Sequence, residues 1–121
     1  MHGPKLKPKS WALRSKVWLE CEGVPILGEG RIAMLQAIER CGSILEASRH
    51  TGVSYRRMRG AIREMEEAIG QPLVHSFRGG EEGGGAALTP VALELMKRYK
   101  QVANGFQEAV DSRFEQIFDF F

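Results

Sequence analysis

The segment with the clearest chemistry is Ser54-Tyr55-Arg56-Arg57-Met58-Arg59, in which two hydroxyls precede three guanidiniums. A guanidinium stays charged at any ordinary pH and presents a planar fork of donors. That fork matches the O6/N7 edge of guanine and the oxygens of a phosphate, while serine and tyrosine hydroxyls suit phosphate alone. A second basic group, Lys5, Lys7, Lys9, Arg14 and Lys16, stands near the N-terminus against one acid, Glu20. Clusters of this kind are an electrostatic footprint for a polyanion. The same composition also describes a solvated face and a basic tail, so position along the elements has to decide.

Other reactive side chains assemble into no recognisable site. His2, His50, His75, Cys21 and Cys41 fall at no metal-ligand or nucleophile–base spacing. The glycine run that starts at Gly79 is not followed by the Gly-Lys-Ser/Thr of a phosphate loop. An enzyme is therefore not expected, nor a metal or a cofactor. His75 reads as a surface or half-buried strand residue. Cys21 and Cys41 read as small buried hydrophobes in a reducing cytoplasm, since two cysteines outside a C-x-x-C pair make no disulfide framework.

The elements that must carry the arginines follow from periodicity and caps. Leu13, Val17, Leu19 and Cys21 alternate with polar residues and predict a strand that Gly23 and Pro25 end. Met34, Leu35 and Ile38 predict a helix over about Gly30–Cys41, stopped by Gly42. Ser43 with Glu46 fits a capping box at the start of a short helix, Ile44 to about His50, with Gly52 in the turn that follows. Ala47 and Ser48 are small, as a close helix crossing requires. Thr51 is a poor fit, because a leucine would bury better there. Ser54 caps a third helix over Tyr55–Ile69, whose apolar stripe is Met58, Ala61, Ile62, Met65 and Ile69, and Gly70 ends it. Arg63 on this helix has Glu64, Glu66 and Glu67 nearby and is expected to pair within it. Pro72–Phe77 and Ala86–Leu88 then read as a hairpin with a glycine-rich crown. Thr89 caps a last helix with Pro90 at its first position.

That last helix carries Leu95, Tyr99, Val102, Phe106, Val110, Phe114 and Ile117 three or four residues apart, with Asn104-Gly105 as an expected interruption. One small domain cannot easily cover so long an apolar stripe; a second copy of the chain can. The chain has 121 residues, 43% of them hydrophobic and 26% charged, with a net charge of +2, which fits a single soluble domain with an appended helix. No apolar run approaches a membrane span and no secretory signal is visible. The expected organisation is a basic flexible arm over 1–12, a DNA-binding domain over 13–89, and a dimerisation helix over 90–121.

Strand, three helices, hairpin and helix in this order is the winged helix-turn-helix plan: mostly α, with a small β-hairpin wing and a long C-terminal dimerisation helix. In that plan the third helix enters the major groove of double-stranded DNA with its first residues toward the bases. Those residues are Ser54, Tyr55, Arg56, Arg57 and Arg59, and Ser43 opens the second helix at a position suited to phosphate. The rival reading is a winged helix that binds protein, its arginines merely solvated.

The residues also resemble a known family. Ile26-Leu27-Gly28-Glu29-Gly30-Arg31-Ile32-Ala33-Met34-Leu35, Cys41-Gly42-Ser43-Ile44, Gly52-Val53-Ser54-Tyr55-Arg56-Arg57 and the wing Gly79-Gly80…Gly83-Gly84-Gly85-Ala86…Leu88-Thr89 are similar to the N-terminal domain of ModE, the molybdate-responsive regulator. More distantly they resemble LysR-type winged helices. The likeness covers about Arg14 to Phe106. It implies a cytoplasmic transcriptional regulator that binds DNA as a homodimer through its first and last helices. It also implies wing contacts from Arg78, Gly79 and Gly80. The wing departs from the family in carrying Glu81 and Glu82 where a basic residue is usual. With the chain ending at Phe121, no room is left for the molybdate-binding domains of full-length regulators, so no small-molecule ligand is expected.

Overall fold

The computed structural model describes residues 11–78 and 84–118. In order the elements are β1 (Leu19–Cys21), β2 (Val24–Leu27), α1 (Glu29–Cys41), α2 (Ile44–Thr51), α3 (Tyr55–Ile69), β3 (Val74–Phe77), β4 (Gly85–Leu88) and α4 (Pro90–Ile117). The chain divides into two compact units, residues 18–97 and residues 98–121 together with 1–17.

In the first unit the core closes around Leu27, Leu35, Ile38, Met58, Met65 and Leu73, all fully buried. Each such side chain contributes roughly 1.5–3 kcal/mol by leaving water. Three helices lend their inner faces to it, and Ala47 at the crossing of α2 is wholly buried.

The expected long strand is shorter than its alternation predicts. Only Leu19–Cys21 pairs, and it folds back on β2 with Cys21 opposite Val24. The two-residue loop, Glu22 at φ 50 and Gly23 at φ 82, has the left-handed backbone of a primed hairpin turn. Pro25 lies within β2 rather than ending β1. A two-stranded sheet is all edge, so proline's missing N–H breaks no ladder on a further strand.

Caps fix the helix starts. Ser43 Oγ accepts from Glu46 N at 3.0 Å and Ser54 Oγ accepts from Arg57 N at 3.1 Å, each worth about 1 kcal/mol. The expected capping box is only half made, because Glu46 Oε1 accepts from Arg49 Nη1 at 2.8 Å instead. Thr51 corrects its reading as a misfit. Its hydroxyl donates to Ala47 O at 2.8 Å and accepts from Val53 N at 3.3 Å, which organises the turn that Gly52 enters at φ 77.

The wing is an antiparallel pair running from Val74↔Leu88 to Phe77↔Gly85. It starts two residues later than expected. Leu73 N and Val74 N both donate to Glu66 Oε2, at 2.8 and 3.2 Å, so the stretch before β3 is bonded to α3 and Leu73 points into the core. Ala86 N donates to Gly42 O at 2.8 Å and ties the wing to the end of α1. A Cβ at Gly85 would stand 3.0 Å from that same carbonyl oxygen and closer still to the Phe77 ring, so this approach needs glycine.

Thr89 Oγ1 accepts from Ala92 N at 3.2 Å and donates to Pro72 O at 2.8 Å, so the cap of α4 also fastens the base of the wing. The expected interruption at Asn104-Gly105 does not occur, and α4 runs unbroken from Pro90 to Ile117. One glycine costs about 1 kcal/mol, too little to break a helix continued on both sides.

In the second unit, residues 13–17 form no strand. They are hydrogen-bonded to Tyr99 and Gln107 of α4. Ser15 N and Oγ donate to Gln107 Oε1 at 2.8 and 2.9 Å, Gln107 Nε2 donates to Leu13 O at 2.8 Å, and Tyr99 OH donates to Val17 O at 2.9 Å. Side-chain amide and phenol thus satisfy the backbone that a strand partner would have paired. Among the described residues no helix is long and apolar enough to cross a membrane.

Candidate nucleic-acid interface

The amphipathic pattern of α3 sets the geometry. Met58, Ala61, Ile62 and Met65 are buried, which turns Tyr55, Arg56, Arg57, Arg59 and Arg63 to solvent. Two grooves flank the helix. One, of about 670 Å³, lies against the start of α1 and is lined by Arg31, Met34, Ser54, Arg56, Arg57 and Glu64 among others. The other, of about 240 Å³, lies against the start of α2 and the wing, with Ser43, Tyr55, Arg59, Ser76 and Phe77 in its wall. The predicted residues therefore separate into two sets, one on each side of the same helix.

Their side chains are available for a polyanion. Ser43 and Ser54 each accept a cap bond, which leaves the hydroxyl proton of each for a phosphate oxygen. Arg59 lies over the Tyr55 ring, 5.9 Å from its centroid, an arrangement worth about 0.5–1 kcal/mol at an exposed site and one that steadies both groups. Arg78 is exposed directly after β3. Gly79 and Gly80, the other predicted wing contacts, lie outside the described residues.

The expected pairing of Arg63 within α3 is corrected. Glu64 pairs with Arg31 of α1, and Glu66 is taken up by the backbone before β3. Arg63 is exposed with no ion pair among the described residues, and it lines a third, smaller groove with Arg59 and Ser76. Sequence reasoning missed Arg63 and Ser76 as candidate contacts. The available signal for Arg63 was its spacing, four residues beyond Arg59 and seven beyond Arg56, which places the three on one helical stripe. Arg31 is a third missed residue. Its Nη1 donates to Ile26 O at 2.9 Å and its Nη2 to Glu64, so it braces β2, α1 and α3 together beside the arginines.

Cys21 and Cys41 are free and half-buried rather than fully buried, and His50 and His75 are exposed. Along α4 the predicted dimerisation residues divide. Leu95, Tyr99, Val110 and Phe114 are half-buried, whereas Val102, Phe106 and Ile117 are 52%, 55% and 67% exposed. The Phe114 ring stacks on Phe118 at 5.1 Å.

Three helices with a tight turn between the second and third, followed by a hairpin and a capped helix, define a winged helix-turn-helix protein with a cationic third helix. The chain belongs to the bacterial regulatory helix-turn-helix proteins of the LysR family, whose model matches residues 30–93. It is 36% identical over 86 residues to the molybdenum-pterin-binding protein MopB of Rhodobacter capsulatus, covering 71% of this chain and 32% of that protein. It is 35% identical over 91 residues to the molybdenum transport protein ModE of Azotobacter vinelandii, covering 75% and 34%. With the DNA-binding transcriptional dual regulator ModE of Escherichia coli K12 it shares 37% over 81 residues, covering 67% and 31%. These matches bear out the ModE-like reading of the winged helix. The chain spans about a third of the length of these relatives. A solved structure, ArgP from Mycobacterium tuberculosis, aligns with 69% of this chain and 29% of its own at TM-score 0.48 and 23% identity.

Proposed function

We propose that this protein is a cytoplasmic, ModE-like transcriptional regulator that binds double-stranded DNA sequence-specifically as a homodimer. One observation carries the reading: the outward face of α3 presents Tyr55, Arg56, Arg57, Arg59 and Arg63 to solvent, with a groove on either side. A major groove about 12 Å wide admits one helix, and arginine forks then reach guanine edges and the phosphates beside them. The phosphate contacts set register and salt dependence, while base contacts set sequence. Ser43, Ser54, Tyr55 and Arg78 are assigned to phosphates, and Arg56, Arg57 and Arg59 to bases or phosphates.

Dimerisation is assigned to α4 through Leu95, Tyr99, Val102, Phe106, Val110, Phe114 and Ile117. The exposed apolar side chains of its second half support this, since exposed large hydrophobes in one band mark an interaction surface. A dimer places two α3 helices on half-sites about one helical turn, or a multiple of it, apart. The deciding experiment is selection of bound duplexes from a random pool followed by sequencing. The expected product is a motif with two related half-sites. Recovery of no enriched motif would favour the protein-binding winged helix instead.

A further inference from the structure

The middle of α3 holds a glycine that the fold does not need. Gly60 lies inside the helix, four residues after Arg56 and three before Arg63, so the three share one face. Apart from proline, glycine is the least favourable residue for a helix interior. It is usually kept there for a positive φ or for close backbone packing. Neither applies. Gly60 is not among the residues with positive φ, and a Cβ built on it meets nothing within 4 Å. Gly85 makes the contrast, because its Cβ would crowd a backbone carbonyl of the same chain. The requirement at Gly60 therefore lies outside the chain, in whatever comes against the outward face of α3. The groove of about 670 Å³ that Gly60 lines is open to solvent and shared with Arg56 and Arg57.

We propose that Gly60 is the point of closest approach between α3 and a base-pair edge in the major groove, bracketed by Arg56 on one side and Arg63 on the other. This deepens the DNA-binding reading and rests on it. At about 1.5 Å of rise per residue, Arg56 and Arg63 stand roughly 10 Å apart along the helix. That span matches about three base-pair steps of 3.4 Å. The bare backbone between them lets the helix settle until both guanidiniums reach base edges at once. A methyl group at position 60 would hold the helix off by about a bond length, 1.5 Å, and stretch both contacts beyond hydrogen-bonding range.

Replacing this glycine should then separate folding from recognition. The test compares the wild-type chain with Gly60→Ala and Gly60→Leu, by thermal melting and by fluorescence anisotropy on the duplex selected for the wild type and on a random duplex. Gly60→Ala is expected to melt a few degrees higher, because alanine is the better helix former. It is expected to bind the selected duplex about tenfold or more weakly, with Gly60→Leu weaker still. Binding to the random duplex, driven by phosphates, should change less than about threefold. A higher melting point with unchanged binding to the selected duplex would overturn the proposal. So would equal losses on both duplexes, or a lower melting point for Gly60→Ala, which would make the glycine a requirement of the fold. Failure of the wild type to bind any duplex at low salt would instead overturn the DNA-binding reading on which the proposal rests.

Discussion

The two compact units of this chain differ in how far they bury their large side chains. In residues 18–97 Leu27, Leu35, Ile38, Met58, Met65 and Leu73 close a fully buried core, although Leu19, Val24, Leu45 and Leu93 stay exposed, and the solvent face of α3 is given to cations. In the second unit α4 leaves Val102, Phe106 and Ile117 more than half exposed, and its polar Tyr99 and Gln107 are bonded to residues 13–17. The winged unit therefore has a closed core of its own beneath a cationic face. The helical unit lacks apolar cover. The contrast is the ground for proposing a different partner chemistry for each, a nucleic acid for the first and a second copy of the chain for the second.

The largest effect that would sharpen this contrast is in the winged core. Met58→Ala, at a fully buried position, should cost about 2–5 kcal/mol of stability in denaturant unfolding, by lost transfer energy and the cavity left behind. In the second unit, Phe106→Ala should leave the fold of the monomer within about 0.5 kcal/mol, as surface substitutions usually do. It should weaken the dimer by about 1.5–3 kcal/mol, the worth of burying one large apolar side chain, when sedimentation is followed against concentration. A core-sized loss of stability in Phe106→Ala, with the dimer intact, would erase the distinction between the units.

Smaller effects test the division within α3. Arg56→Ala should weaken binding to the selected duplex by about 1–3 kcal/mol and relax preference at one base position. Arg59→Ala, on the wing side, should weaken selected and random duplexes alike, as a phosphate contact does. An identical pattern for the two would mean that the grooves on either side of α3 have no separate roles. The smallest expected effect comes from Glu81, which falls between β3 and β4 in the sequence and lies outside the described residues. Glu81→Lys should tighten binding and steepen the salt dependence by about one unit if this residue passes near a phosphate. An unchanged salt slope would place it away from the DNA.

Much of this was legible in the sequence, and the exceptions have definite causes. The bounds of α3, Tyr55–Ile69 between Ser54 and Gly70, are read in full because cap, stripe and stop all agree. The cap at Thr89 and the glycine-rich hairpin are legible for the same reason. β2 was hidden because Pro25 reads as a stop, and only the edge position of every strand in a two-stranded sheet permits it. Residues 13–17 alternate like a strand, yet their backbone partners are Gln107 and Tyr99, more than 80 positions away and invisible to periodicity. Arg63 looked paired because glutamates surround it in sequence. Glu64 is paired with α1 and Glu66 with the backbone before β3, which only tertiary packing reveals. Thr51 looked like a weak hydrophobe because its turn hydrogen bonds cannot be seen in a pattern of apolar residues.

The central claim is that the exposed arginines of α3 hold duplex DNA. The most direct measurement is a salt titration of affinity for the selected duplex, wild type against the double variant Arg56→Ala and Arg59→Ala. The account predicts that the wild type loses affinity linearly in log salt, and that the double variant binds far more weakly with a shallower slope. Equal affinity and equal slope in the two proteins would contradict it.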